Sequence, residues 1–399
     1  MQWRNRFGVA AAAIVAMVGL PVTHAGPLDP PAGPVAATGP TMIFSLPYTI
    51  SSPGLYKFGR SLTAQGPFTG ISINASNVSI DMAGHAIDGV SAVNSSFAFV
   101  CGPGVGNVTI FDGLVSNWRG VIACDGAARL TRLRVQGCGN AASLPYALVT
   151  GGSGSRLVEC EFIGNVMSDA ILGAGSTVLR YSSRSQSEGT TLNVGDRSVV
   201  TDCAIEQGSI STGKGSLVSR CSVSPNFGPG SCAALTAIFV GDGSFVSDSV
   251  VTGDLLGWGI RAATNCTVVN CVVSGPVSSN CAPFQFGIGA DQGSTIRDCK
   301  VTVSGTESRG IGAPPGGEVR GCTVKAGASG IVATGDGATI DTNTITGTQT
   351  AILLGGTGNR VARNSIRGAI TAISQGVGND IGPTGTAATA TSPWANLVN

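Results

Sequence analysis

The chain has 399 residues, 60 of them Gly, with 42% hydrophobic, 5% aromatic and 11% charged residues and a formal net charge of +1. High apolar content with almost no net charge excludes a disordered chain. So much glycine excludes a helix-rich globule, because each helix-interior Gly costs about 1 kcal/mol relative to Ala. Near neutrality with only four Lys leaves no electrostatic footprint for nucleic acid or an anionic membrane.

In chain order, residues 1–25 read as a secretory signal. Arg4 and Arg6 precede the apolar run Val9–Leu20, and Thr23-His24-Ala25 places a small residue at the expected cleavage point after Ala25. The apolar run is too short to span a bilayer. Its removal takes two arginines and no acid, leaving a mature net charge of −1. No later stretch offers a membrane span, and a monomer is expected. Residues 26–47, GPLDPPAGPVAATGPTMIFSLP, form a Pro-rich arm expected to be extended.

From residue 48 a phrase recurs: Gly-Ser, a variable residue, Val or Leu or Ile, two polar residues, Cys or another small residue, a variable one, and Val or Ile. Copies include GSRLVECEF ending at Phe162, GSLVSRCSV at Val223, GSTIRDCKV at Val301 and GGEVRGCTV at Val324. Thirteen copies, anchored at the seventh position from Ala83 to Asn364, recur about every 23 residues. Each is preceded by a short apolar strand: AILG around Ile171, AIFVG around Ile238, GIRA around Ile260, GIGA around Ile288. Three short strands per unit, with apolar residues alternating inward, predict a right-handed parallel β-helix of about 13 coils over residues 48–375. Residues 376–399 are expected to cap it. Gly and Asn are expected at the tight corners, where a positive φ is needed.

The phrases NVSIDMAGHAIDG, GNVTIFDGLV and the GIxAxxGSxVxxCxV coils resemble exported right-handed β-helix repeat proteins of bacterial envelopes, within the pectin-lyase-like superfamily. The resemblance covers residues 48–399. It implies a fold shared by lyases, hydrolases, adhesins and members without assigned activity, so it does not select a function.

Twelve cysteines in an exported chain suggest disulfides. The repeat separates them. Cys160, Cys203, Cys221, Cys271, Cys299 and Cys322 all occupy the seventh position and are expected to stack as an inward ladder of free thiols acting as small hydrophobes. Cys101 and Cys124 close the first strands of successive coils and form the leading disulfide candidate. Cys232 and Cys281, in the two longest turn insertions, form a second. Cys138 and Cys266 have no evident partner. No zinc or other metal site is expected, with no Cys-x-x-Cys and a single mature His, His85.

Enzymes of this superfamily work in a groove outside the first strands, using clustered Asp, Arg, Lys or His. The outward residues on that face are expected to be Leu172, Asn193, Phe239, Arg261, Gly289, Gly312, Val332 and Leu353, with one charge and no carboxylate. A paired-acid mechanism has no footing there. Catalysis, if present, would fall to the turn residues Asp169, Arg184 and Glu188. Trp118-Arg119 and Trp258 with Arg261 pair an aromatic ring with a guanidinium, a combination suited to carbohydrate, though a Trp packed under a turn explains them too. Gly355–Asn359 resembles one calcium-binding nonapeptide turn, but lacks its Asp and occurs once. No cofactor is expected and calcium has no support.

The expected function is that of a secreted, periplasmic or surface β-helix acting as a structural or polysaccharide-binding module. The alternative is a lyase or glycoside hydrolase acting on a uronate-containing polysaccharide. A surface adhesin would be expected to carry a C-terminal anchor, and the tail TSPWANLVN does not resemble one.

Overall fold

The computed structural model describes residues 39–66, 68–89, 97–139, 147–166, 168–184, 191–225, 236–255, 257–276 and 285–399. Residues Pro40–Asn399 form one compact unit. Every strand pairing in it is parallel, and the strands divide into a 15-stranded sheet and a 30-stranded sheet. A typical coil supplies Arg156–Val158 and Glu161–Ile163 to the larger sheet and Ala170–Leu172 to the smaller. The next coil supplies Thr177–Leu179, Ser182–Arg184 and Leu192–Val194, residue matched to residue. This is the parallel β-helix that the repeat predicts.

The 15-stranded sheet has two rungs beyond the thirteen copies of the phrase. One is Tyr48–Ile50 at the start and the other is Thr371–Gln375 at the end. Strand structure also enters the segments read as arm and cap. Thr41–Ile43 pairs with Tyr56–Phe58, and Asn396–Val398 pairs with the strand at Ser365–Arg367. Neither segment carries the phrase, because a terminal strand needs only one partner and escapes the two-sided stacking that enforces the repeat.

The phrase folds as strand, two-residue corner, strand. In GSTIRDCKV, Thr295–Arg297 and Lys300–Ser304 are the strands, with Asp298 and Cys299 between them. The six predicted ladder cysteines are all 2% exposed or less. Their S–H groups donate to backbone carbonyls two residues earlier, as from Cys203 to Thr201 O at 3.2 Å and from Cys299 to Arg297 O at 3.2 Å. Toward the C-terminus asparagine takes over this row. Asn343 Oδ1 accepts from the Cys322 amide (2.9 Å), Asn364 Oδ1 from the Asn343 amide (2.9 Å) and Asn396 Oδ1 from the Asn364 amide (3.1 Å). An amide side chain both donates and accepts, so identical copies satisfy one another while buried.

At the turn that opens the phrase positive φ falls on Gly or Asn as expected, as at Gly154, Gly175, Gly215, Gly243 and Asn265, but the corner inside the phrase differs. The residue before the ladder position adopts positive φ, 49° to 60°, yet it is charged in most coils: Asp112, Arg132, Glu159, Arg180, Asp202, Arg220 and Asp248 run in succession, followed by Asn270 and Asp298. A left-handed backbone costs a side-chain-bearing residue about 1 kcal/mol. Here the side chains alternate in sign from coil to coil. Arg132 reaches Asp112 at 2.5 Å, Arg180 reaches Glu159 at 2.6 Å, and Arg220 reaches Asp202 at 2.6 Å. Arg132, Asp202 and Arg220 also feel the charge on their other side, from Glu159, Arg180 and Asp248 respectively. The hydrogen-bonded guanidinium holds the Asp112 and Asp202 carboxyls below the usual carboxylate range.

Substituting Arg180→Glu places an acid between Glu159 and Asp202 and should lower the thermal midpoint, by an amount that shrinks as salt rises. Arg180→Gly keeps the left-handed corner and should lower it less. Calorimetry at low and high ionic strength checks both. Equal, salt-independent losses would rule out charge alternation as the stabilising feature.

Candidate functional site

The outer face of the 15-stranded sheet presents one central residue per coil. Pairing in register puts Ser72, Val100, Ala123, Thr150, Ile171, Asn193, Ser211, Phe239, Arg261, Gly289, Gly312, Val332, Leu353 and Ser374 in a single file. Arg261 is its one charged member, and it holds no carboxylate. One expected position is corrected. Leu172 is 3% exposed and points inward, while Ile171 stands outward at 42%. The strand register locks Ile171 opposite Asn193, and side-chain hydrophobicity does not override the backbone ladder. Val332 lies on the file as expected but is only 2% exposed.

Around Arg261 two rings lie against the file, Trp258 half-buried and Phe286 buried at 6% exposure. The Trp258 and Phe286 rings stack with centroids 4.9 Å apart and planes 28° from parallel. Arg261 lies 5.4 Å from the Trp258 ring and 6.0 Å from the Phe239 ring, and Arg309 lies 5.5 Å from the Phe286 ring. Glycine makes this arrangement possible. A Cβ at Gly289 would come within 1.9 Å of Trp258 Cζ3, and one at Gly312 within 3.2 Å of the Phe286 ring. Each ring therefore lies down on the glycine of the following coil. The GIGA motif is explained twice over, because its first glycine, Gly287, faces inward, where a Cβ would meet Val301 at 2.4 Å. Trp258 is half-buried and Arg261 exposed, so an aromatic edge and a guanidinium fork remain open to solvent.

The other predicted site residues lie elsewhere. Trp118, expected as a stacking surface, is corrected: it is 1% exposed and its indole N–H donates to Ile87 O at 3.1 Å, so it packs inside the coil beside half-buried Arg119. Arg184 is on the outer face of the 30-stranded sheet, paired with exposed Glu206 at 2.6 Å. Glu188, Cys232 and Cys281 lie outside the described residues. Cys101 and Cys124 are free cysteines brought next to each other. Asn359, in the turn compared with a calcium-binding nonapeptide, is fully buried and its Oδ1 accepts from the Ala338 amide at 2.8 Å. Among the described residues no group of three or more His, Cys, Asp or Glu could hold a metal ion, and no helix is long and apolar enough to cross a membrane. Asp169 is interior rather than in a solvated turn. Its Oδ2 accepts from Tyr181 Oη at 2.6 Å and from Ser183 Oγ, while its buried Oδ1 and the buried Thr191 Oγ1 of the next coil have no partner among the described residues. Arg184 and Asp169 therefore sit on different sides of the wall and do not assemble a catalytic pair.

The 30-stranded sheet carries hollows in which arginines and acids lie together. One of about 580 Å³ has Phe245 and the pair Thr267 and Thr295 beside Arg297, Asp298, Glu318 and Arg320. Beyond it Trp394 lies 5.1 Å from both Arg360 and Arg363, with Arg363 Nε donating to Asp341 at 2.7 Å. On the face bearing Trp258 the central file carries Arg261 and no acid, while Glu307 acts on Arg309 beside it.

No protein-family model matches the chain, and no curated protein matches it. Several solved structures do. The A-module of the Azotobacter vinelandii mannuronan C-5 epimerase AlgE6 is 12% identical, with 91% of this chain and 92% of that one covered and a TM-score of 0.40. Tailspike protein 3 of bacteriophage CBA120 is 12% identical over 89% of this chain and 60% of its own length, with a TM-score of 0.41. PfbA, a surface adhesin of Streptococcus pneumoniae, is 7% identical over 78% and 86%, with a TM-score of 0.41. Likeness at this level carries nothing about activity, and the fold stands on the strand pairings themselves.

Two outcomes are expected. Gly289→Val should evict the Trp258 ring, raising its accessibility and shifting its fluorescence emission to the red; unchanged emission would contradict the seating of the ring on Gly289. Burial raises the Asp169 carboxyl to about 7. Its stabilising contribution is full below its unfolded value near 4 and is lost as pH rises through 7. Tyr181, Ser183, Asn165 and Thr191 surround it, and none supplies a positive charge. The difference in thermal midpoint between the native chain and Asp169→Asn should therefore shift against the native chain from pH 4 to pH 8. A pH-independent difference would contradict this.

Proposed function

We propose that this is an exported polysaccharide-binding β-helix whose ligand runs along the outer face of the 15-stranded sheet across Phe239, Trp258, Arg261 and Arg309. One observation carries the reading: half-buried Trp258, stacked on the buried Phe286 ring and flanked by Arg261 and Arg309, lies beside a central file that has no carboxylate. Flat aromatic surface suits the C–H faces of sugars, and a guanidinium fork suits a carboxylate. The ligand class is accordingly an acidic, uronate-containing polysaccharide. Secretion past residue 25 places the protein where such polymers occur, and binding through side chains alone calls for no cofactor. Catalysis is not part of the reading, because the file lacks the carboxylate pair that glycoside hydrolysis needs.

Titration calorimetry of the full mature chain with an oligouronate and with a neutral oligoglucan of equal length tests it. The oligouronate should bind more tightly, its affinity should fall with salt, and Trp258→Ala or Arg261→Gln should weaken it about tenfold, or 1.4 kcal/mol. Undiminished binding by both variants would overturn the assignment of the face. Appearance of unsaturated-uronate absorbance or new reducing ends would overturn the non-catalytic reading.

A further inference from the structure

Cys101 and Cys124 occupy equivalent positions at the ends of consecutive strands of the 15-stranded sheet. Phe97–Cys101 and Gly120–Ala123 pair in parallel, with Val100 opposite Ala123, so the next residue of each chain direction is a cysteine beside a cysteine. Parallel neighbours stand about 4.8 Å apart, inside the range over which a disulfide spans two Cα atoms, about 4.4–6.8 Å. Access separates this pair from the other adjacent cysteines. Cys101 is half-buried, whereas the eight other described cysteines apart from Cys124 are 2% exposed or less. Those on the corner ladder sit inside the coil, where no oxidant reaches them. Among the described residues, only at Cys101 does a thiol with a thiol neighbour touch solvent.

We propose that Cys101 and Cys124 are a built oxidation site and close to an inter-coil disulfide when the chain meets a small-molecule disulfide. The Cys101 thiolate attacks one sulfur of the reagent, forming a mixed disulfide and expelling one thiolate. The Cys124 thiolate then attacks Cys101 Sγ and expels the second. Two electrons pass from the cysteine pair to the reagent, and the two cysteine protons end on the two released thiols. The bridge staples adjacent rungs near the N-terminal end of the stack, where a solenoid has fewest neighbours and opens most readily.

The experiment uses the full chain, purified reduced and folded, then exposed to oxidised glutathione, alkylated in denaturant and cleaved with trypsin. Residues 61–119 and 120–129 fall in separate tryptic peptides. They should appear joined, about 2 Da lighter than the sum of the two free peptides. The oxidised chain should also melt above the reduced chain, a difference that Cys124→Ser should abolish while leaving glutathione on Cys101. Recovery of the two peptides unjoined, whether alkylated or carrying glutathione, would overturn the proposal. So would Cys101 joined to any cysteine other than Cys124. Peptide mapping keeps bridges among the remaining cysteines, Cys232 and Cys281 included, distinct from this one.

Discussion

The constraint on which everything else depends is the in-register parallel hydrogen bonding of each coil to the next. It repeats about every 4.8 Å and leaves no freedom to offset one coil against another. Every side chain is thereby stacked on its counterparts above and below. A residue type is acceptable at a position only if it tolerates a neighbour of similar kind at that distance. Branched aliphatics do so by packing, as in the inward run Ile238, Ile260, Ile288, Ile311, Ile331 and Ile352, all fully buried. Cysteine does so by being small and by donating to its own backbone. Asparagine does so because its amide donates and accepts at once. Like charges cannot, and the corner from Asp112 to Asp248 accordingly alternates in sign.

The same constraint shapes the candidate binding face. An aromatic ring on a flat sheet either stands off into water or lies along the axis over the next coil. Lying down requires space, and Gly289 and Gly312 provide it for Trp258 and Phe286. Arg261 and Arg309 then settle against the ring faces, interactions worth about 0.5–1 kcal/mol each at exposed sites. The platform thus follows from glycines in one coil and aromatics in the coil before. Asp169 shows the opposite case. It sits on the inward side of the same wall, opposite Thr191, in a column that elsewhere holds Leu148, Ala237 or Gly259. A carboxyl there is desolvated and only partly hydrogen-bonded, so it favours its neutral form.

Much of this was legible in the repeat phrase. The inward row of Cys160 to Cys322, the three short strands per unit and the carboxylate-free outer file all follow from period and alternation. The charged corner was equally visible at the sixth position of the phrase, as Arg132, Glu159, Arg180, Asp202, Arg220 and Asp248. It was hidden by the rule that positive φ belongs to Gly and Asn, which holds for isolated turns. It fails where a neighbouring coil supplies an opposite charge. Ile171 was misplaced because apolarity was taken to mark the inward face, whereas its backbone partner Asn193 sets the direction.

The sequence by itself determined the β-helix, its period and the identity of the residues in each row, because stacking forces each row to be written at a fixed spacing. Only the tertiary structure decided which rows meet. Trp258 and Gly289 are 31 positions apart, and Cys101 and Cys124 are 23 apart. Turn insertions vary in length from coil to coil, so separation along the chain does not reveal which residues end opposite one another. The strand register does, and it alone turns scattered aromatics, arginines and cysteines into a platform and a thiol pair.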